Sequence, residues 1–411
     1  METVISARGY AALSIPQTAM ELLEAIRRNR KPISKAELVR RTALSLATVT
    51  EHTDLLIRSK LALEGDKGES TGGRKPKLLE FNVDAGRIIA VDLESTKVRV
   101  AVTDLRANIL ATSPTTPVDV TDGPPVVLGK IKDLCFDLLQ RNGIDRSHVK
   151  GVGMGIPGPV TFSLSRPASL SIMPGWDRFP ITDFWRQHLA CPCRIDNNVY
   201  TMALGEQTVE FLSEPVDLIF LKVGNGIGAG IICEGRVYRG ATETAGEVGH
   251  TNIGHDILCY CGNRGCLEAV AGGRAIARRA EAMAREGRSS QLNAILVEKS
   301  RLSFSDVIQA LDDMDSVAVE LMRESGNAIG KVLAGLVNFF NPSHIVIGGG
   351  VSQVNDVLLA AIRESVYRQS LPIATRTLAI QHSALGADAG IIGAAALTLD
   401  DAIQYAFHGS A

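Results

Sequence analysis

The stretch VDLIFLKVGNGIGAGII, Val216–Ile232, is an apolar run that breaks into glycines and then resumes. A run rich in Val, Ile, Leu and Phe suits a buried strand, and the glycines supply a tight turn at its end. VKGVGMGIPGPV (Val149–Val160) and SHIVIGGGVS (Ser343–Ser352) are further apolar strands that run into glycine-rich turns, while RIIAVDLESTKVRVAVTDLRANIL (Arg87–Leu110) is a strand, a turn and a second strand. Segments of helical period lie between them, such as PPVVLGKIKDLCFDLLQRN (Pro124–Asn142) and SVAVELMRESGNAIGKVLAGLVNFF (Ser316–Phe340). Strand, glycine turn and helix in alternation predict an α/β body with ligand loops at strand ends. Backbone N–H groups in such turns suit anions, although glycine also serves simply to turn a buried strand.

Ahead of this body the pattern is helical. Met20, Leu22, Leu23 and Ile26 fall on one face of a first helix. ISKAELVRRT predicts a short second helix with Ser34 as N-cap and Leu38 and Val39 inward. SLATVTEHTDLLIRSK predicts a third, with Val49, Leu55 and Leu56 inward. A tight connection near Ala43 and Leu44 makes the last two a helix-turn-helix, and LALEGDKGESTGGRKPKLLEFN folds back as a winged hairpin. Arg40 and Arg41, with Lys67, Arg74, Lys75 and Lys77 in the wing, favour DNA over a generic dimerisation module. Thr48, Thr50, Glu51 and His52 are the base-facing candidates. That helix is poor in Arg, so much of the affinity falls to Arg40, Arg41 and the wing. GGRKP reads either as a minor-groove arm, with Arg74 entering A·T-rich DNA, or as a flexible linker.

The bulk numbers agree with two or three soluble domains. The chain has 411 residues, 45% hydrophobic and 21% charged, with net charge −2. Through Asp84 it carries 14 Lys and Arg against 11 Asp and Glu, which leaves the remainder at −5: a basic head on an acidic body. The start lacks the apolar core of a signal peptide and no apolar run is long enough to span a bilayer, so the expected compartment is the cytoplasm, without membrane contact. Seven cysteines, odd in number and clustered, do not form a disulfide framework.

Three of those cysteines lie in GEVGHTNIGHDILCYCGNRGCLEAV, Gly246–Val270. Cys259, Cys261 and Cys266 put three thiols on one short loop that Gly262 and Gly265 allow to curl. His250 or His255 completes a tetrahedral Cys3His set for zinc. Such a closed set has no open position for water, which makes the ion structural. Cys135, Cys191, Cys193 and Cys233 read as core or incidental residues.

With these motifs the chain resembles the ROK family of repressors, open reading frames and sugar kinases, over nearly its whole length. GEVGH followed by CYCGNRGCLEA resembles the family's metal-loop motif, and LKVGNGIGAGIICEGRVYRG its central glycine signature. GMGIPGPV, GGGVS and GADAGIIGAA resemble further family blocks, and the winged helix resembles the repressor branch. The resemblance implies an actin/hexokinase-like body of two α/β lobes around a sugar cleft, in a dimer or tetramer. It divides the chain into a winged helix with linker (1–84), a first lobe (85–200, completed by a C-terminal helix at about 388–411) and a second lobe with the zinc loop (201–387). It implies His250 as the ligand alongside the three cysteines. It also sets Glu247, His250 and Glu268, with Asn197 and Asn198, against sugar hydroxyls.

The departures from the family pattern separate kinase from regulator. Family kinases use an Asp as general base in a block that here reads IDNNVYTMALGE; anchored on Leu204-Gly205-Glu206, its position holds Asn198. A neutral amide has no basic lone pair to take the proton. Tyr200 replaces a second Asn of the same block. The phosphate loop Asp-x-Gly-Gly-Thr-Lys reads DLESTK, where Glu94 and Ser95 crowd the cradle and Glu94 repels ATP. Asn225 stands where a Thr is common. The expectation is a sugar-responsive transcriptional repressor of carbohydrate metabolism, not an enzyme. Its operator is double-stranded DNA and its effector a sugar or sugar phosphate. The alternatives are an active ATP-dependent sugar kinase with a DNA-binding head, and a repressor released by a protein partner.

Overall fold

The computed structural model describes residues 15–29, 31–67, 77–168, 173–211, 215–350 and 356–409. Its N-terminal part is a winged helix-turn-helix. Helix α1 (Gln17–Arg28) buries Ala19, Leu22, Leu23 and Ile26, the i, i+3, i+4, i+7 stripe of an amphipathic helix. Strand β1 (Ile33–Ser34) runs into α2 (Lys35–Thr42), where the Ser34 hydroxyl accepts from the Glu37 N–H at 3.2 Å. Ala43 takes the left-handed conformation (φ 56°) that ends α2, and its N–H donates to Val39 O. Ser45 then caps α3 (Leu46–Arg58) through the Thr48 N–H at 3.1 Å. Strands β2 (Ala62–Lys67) and β3 (Lys77–Phe81) pair antiparallel, and β1 adds to the edge of β3.

The body holds two sheets with one plan. In the first, β4 (Arg87–Leu93), β5 (Lys97–Thr103) and β6 (Ile109–Thr112) form an antiparallel meander, with β7 (Val149–Ile156) and β8 (Cys193–Asn197) added in parallel beside β4. In the second, β9 (Leu218–Val223), β10 (Ile227–Cys233) and β11 (Arg236–Tyr238) repeat the meander, and β12 (His344–Gly348) and β13 (Ala379–His382) add in parallel beside β9. Strand order and pairing sense are the same in both.

Two helices join the sheets. Helix α4 (Asn198–Val209) starts where β8 ends and packs on β10, while the later helix Ala389–His408 packs on β4 and β7, and the two helices pack on each other. Glycine makes that approach possible: a Cβ at Gly393 would sit 1.6 Å from Thr201 O. The winged helix belongs to the same packing. Leu22, Leu56 and Phe81 share one apolar cluster with Ile88, Leu399 and Phe407 of the body. The Ile15 N–H donates to Gln404 Oε1 at 3.0 Å. No described helix is long and apolar enough to cross a membrane.

Candidate functional site

The turn after β4 and the glycine turn after β9 both line a cleft of about 350 Å³. The first wall is the turn Glu94–Lys97 and the start of α4. The Glu94 N–H donates to Lys97 O at 2.8 Å, and the Lys97 ammonium pairs with Glu94 Oε1 at 3.3 Å. Asn197 caps α4 by accepting from the Val199 N–H at 3.0 Å. Asn198, 3% exposed, donates its amide N–H to Leu93 O at 3.3 Å. Behind this wall Asp92 is buried, one carboxylate oxygen lacks a hydrogen-bond partner among the described residues, and burial, with Glu94 beside it, pushes its pKa up to about 6 against the lowering effect of Lys222.

A loop from β11 to Glu247 forms the facing wall and is tied to the first lobe. Arg239 Nε donates to Asp196 at 3.2 Å and its guanidinium lies 3.7 Å over the Phe162 ring. Burial raises the Asp196 pKa against the lowering effect of Arg239. Glu243 accepts from the Ser163 N–H at 3.2 Å, and the Tyr200 hydroxyl donates to Ala245 O. Gly246 must be glycine: its φ is 93°, and a Cβ would lie 1.9 Å from Ala229 O. The next residue, Glu247, reaches the cleft, where burial raises its pKa against the lowering effect of His250.

Below Glu247 lies the Cys and His loop. One ligand atom each from His250, Cys259, Cys261 and Cys266 can be chosen so that all four lie within 4.8 Å of one another; His255 is not among them. His250 Nδ1 is 3.7 Å from Cys259 Sγ, and Cys261 Sγ is 3.7 Å from Cys266 Sγ. A tetrahedral ion with sulfur at about 2.3 Å and nitrogen at about 2.0 Å requires separations of roughly 3.5–3.8 Å, so the donor set fits such an ion. Burial pushes the Cys266 thiol up to about 12, while the Asn263 N–H holds Cys261 down. The other His250 nitrogen, Nε2, is 3.2 Å from the Tyr260 hydroxyl and 3.9 Å from Glu247. Glu268, in the first turn of the short helix α5 (Leu267–Ala271), accepts from the Ile227 N–H at 2.8 Å, so it braces the glycine turn after β9 while lining the cleft.

The cleft therefore gathers Asn197, Asn198, Glu247, His250 and Glu268, the residues that the family resemblance sets against a sugar. The nucleic-acid candidates lie apart, on the winged helix. Arg40 and Arg41 both fork onto Glu37. Thr48 hydrogen-bonds Ser45 at 2.8 Å, Thr50 and His52 are half-buried, and Glu51 is exposed. Lys67 ends β2; Arg74 and Lys75 lie outside the described residues.

Four residues escaped the sequence reading. Leu46, 60% exposed, opens the helix that carries Thr48 and Thr50. Tyr260 sits between two cysteines and was passed over for them. Lys222 interrupts an apolar strand, and Arg274 follows the Gly-Gly that begins helix α6 (Gly273–Arg285). A lone charge inside an apolar run was the available signal.

Paired sheets of repeated plan, with a cleft between the turns that end β4 and β9 and a winged helix on one side, define a sugar-kinase-like body carrying a DNA-binding type of head. The chain belongs to the ROK family, whose model matches residues 88–401. It is 30% identical over 388 residues to the xylose repressor of Caldicellulosiruptor bescii, covering 92% of this chain and 94% of that one. A crystal structure of a ROK family transcriptional regulator, homologous to the MLC protein of E. coli, superposes with TM-score 0.78 at 25% identity over 95% of this chain and all of the other. A ROK family glucokinase from Streptomyces griseus, in complex with glucose and AMPPNP, superposes with TM-score 0.66 at 29% identity. It covers 76% of this chain, 99% of its own, and identifies the body as the actin/hexokinase-like fold.

Proposed function

We propose that the protein is a sugar-responsive transcriptional repressor of carbohydrate metabolism, working on DNA in the cytoplasm as a dimer. The observation that carries this reading is Asn198. Where a kinase would hold its base, a neutral amide is sealed in the wall and committed to Leu93 O, and the helix it opens runs to the winged helix. Glu94 and Ser95 in the first turn favour the same reading, since phosphoryl transfer rests on positioning and charge stabilisation that neither provides.

His250, Cys259, Cys261 and Cys266 hold a zinc ion in this reading, and zinc supplies a fixed tetrahedral anchor for the loop. Glu247 and Glu268, carboxylates with lone pairs to spare, then accept from sugar hydroxyls, while His250 Nε2 and Tyr260 order the same edge. On the head, Thr48, Thr50, Glu51 and His52 face base edges. Leu46 meets a thymine methyl group, and Arg40, Arg41, Lys67, Arg74 and Lys75 meet phosphates or the minor groove. Two heads related by a twofold axis reach successive major grooves. The sugar regulates by binding more tightly to the arrangement that cannot hold DNA, because equal affinity shifts nothing.

The test is selection of an operator from random duplexes, followed by its titration with D-xylose, D-glucose, N-acetyl-D-glucosamine and their phosphates. One of them is expected to weaken operator binding at least tenfold. If no operator is selected, the regulator reading falls. If an operator is selected but no sugar moves it, control passes to a protein partner. ATP-dependent phosphorylation of any of these sugars would restore the kinase reading.

A further inference from the structure

The loop between β11 and Glu247 is anchored on one sheet and holds on to the other. Its ends belong to the second sheet: Tyr238 pairs with Ile231 of β10, and the Ala229 N–H donates to Gly246 O at 2.8 Å. Between them the Ala245 N–H donates to Arg239 O at 2.9 Å, so Arg239–Ala245 closes on itself as one strap. Its contacts reach away from that sheet. Two guanidinium nitrogens of Arg239, one of them Nε at 3.2 Å, donate to the same oxygen of Asp196, which is 1% exposed. The other Asp196 oxygen accepts from the Asn197 N–H at 2.9 Å. Tyr200 is equally enclosed, and its hydroxyl donates to Ala245 O, two residues before Glu247. These two ties close on Asp196–Tyr200, where β8 ends and α4 begins. A third, from the Ser163 N–H to Glu243 at 3.2 Å, lands elsewhere on the first lobe.

We infer that the strap Arg239–Ala245 couples the cleft to helix α4, with Arg239 and Tyr200 as the positioning residues that carry a ligand's effect toward the winged helix. The inference rests on the sugar-sensor reading and adds the route by which an occupied cleft changes operator affinity. A buried ion pair resists separation, because either partner left alone is an uncompensated charge. Two donors on one carboxylate also fix direction as well as distance. A shift of the second sheet relative to the first is therefore delivered at the first turn of α4 and is not lost in a pliant loop. Glu247 follows the strap directly, so a ligand held between Glu247 and Asn197 settles the strap and the start of α4 together. Without the ties, cleft and head each still bind, but neither reports to the other.

Operator affinity of the full-length protein is measured by fluorescence anisotropy, without ligand and at saturation with each of D-xylose, D-glucose, N-acetyl-D-glucosamine and their phosphates. The ratio of the two affinities is the coupling, and saturation removes any change in ligand affinity from it. A hydrogen bond is worth roughly a factor of two to ten, so Tyr200→Phe, which removes one oxygen, should shrink the ratio by that much. Arg239→Lys keeps the charge but loses the paired donors and the stacking on Phe162, and should shrink the ratio at least as far. Glu243→Ala, which frees the strap from Ser163 alone, should leave the ratio unchanged. If Arg239→Lys does not fold, Tyr200→Phe decides. A wild-type ratio kept in full by either folded variant would overturn the inference and leave the sugar-sensor reading standing. So would an equal loss in Glu243→Ala, because the strap would then be a plain brace between the lobes. If no compound weakens operator binding in the wild type, the sugar-sensor reading and this inference fall together.

Discussion

Cys266 is completely buried, and its thiol carries its proton until something replaces it. Cys266→Ser should abolish stoichiometric zinc, measured by atomic emission on the purified protein, and lower the melting temperature by about 3 °C or more. Wild-type protein stripped by a chelator should melt at the same lowered temperature. Asp92 makes a prediction of opposite sign. Its native pKa, raised by burial to about 6 from 3.8, means that its charge opposes folding above pH 6 and that the penalty fades as pH falls toward 3.8. Asp92→Asn should therefore stabilise the protein by about 3 kcal/mol at pH 7.5, with roughly half that gain left at pH 5. Paired denaturant titrations at the two pH values measure it; a gain that grows on acidification would contradict the burial argument. The candidate metal cluster was legible in the sequence because its three cysteines lie within eight residues, while His250 was singled out from His255 only by the family resemblance. Lys222 and Arg274 were not, because an isolated charge has no period, and its meaning comes from what the fold brings beside it.

At the scale of elements, caps and faces followed from local pattern: Ser34 and Ser45 cap as their positions demand, and the apolar stripe of α1 faces inward. What local pattern could not give was competition between side chains. Arg40 and Arg41 read as free phosphate contacts, yet Glu37, one turn before them, holds both. Glu37→Gln should tighten binding to duplex DNA several-fold and steepen its salt dependence by about one to two counterions, as read by fluorescence anisotropy across a salt series. Unchanged affinity would place both arginines away from DNA. Leu46 opens the next helix, α3. Leu46→Ser is expected to leave stability within about 0.5 kcal/mol, since the side chain is exposed, while erasing one thymine from the selected operator. Replacing that thymine by uracil should penalise the wild type alone.

At the scale of the molecule, the two sheets repeat one plan, and the turns that end β4 and β9 are corresponding points of it. Alternation of strand, glycine and helix disclosed the α/β class, but not that the winged helix would share a core with the body. That junction is made by residues more than 300 positions apart, Leu22 and Phe407 among them, and no short window contains both. The junction also holds a cavity of about 440 Å³ between α1, the far end of α4 and the Ala389–His408 helix, lined by Met20, Arg27, Thr208 and Ala396. If the head re-seats through this space, Ala396→Phe should preserve ligand binding in a thermal-shift assay yet blunt the ligand's effect on DNA affinity by about tenfold. An undiminished response would show that the head moves without it. Helix α4 begins in the cleft and ends at that cavity, and its twelve residues make a rod about 18 Å long. Pivoted at Asn198 by as little as about 10°, its far end swings roughly 3 Å. Hydrogen bonds to base edges fail over a few tenths of an ångström. A tilt of that size is thus, by leverage alone, large enough to take two recognition helices out of register with their half-sites.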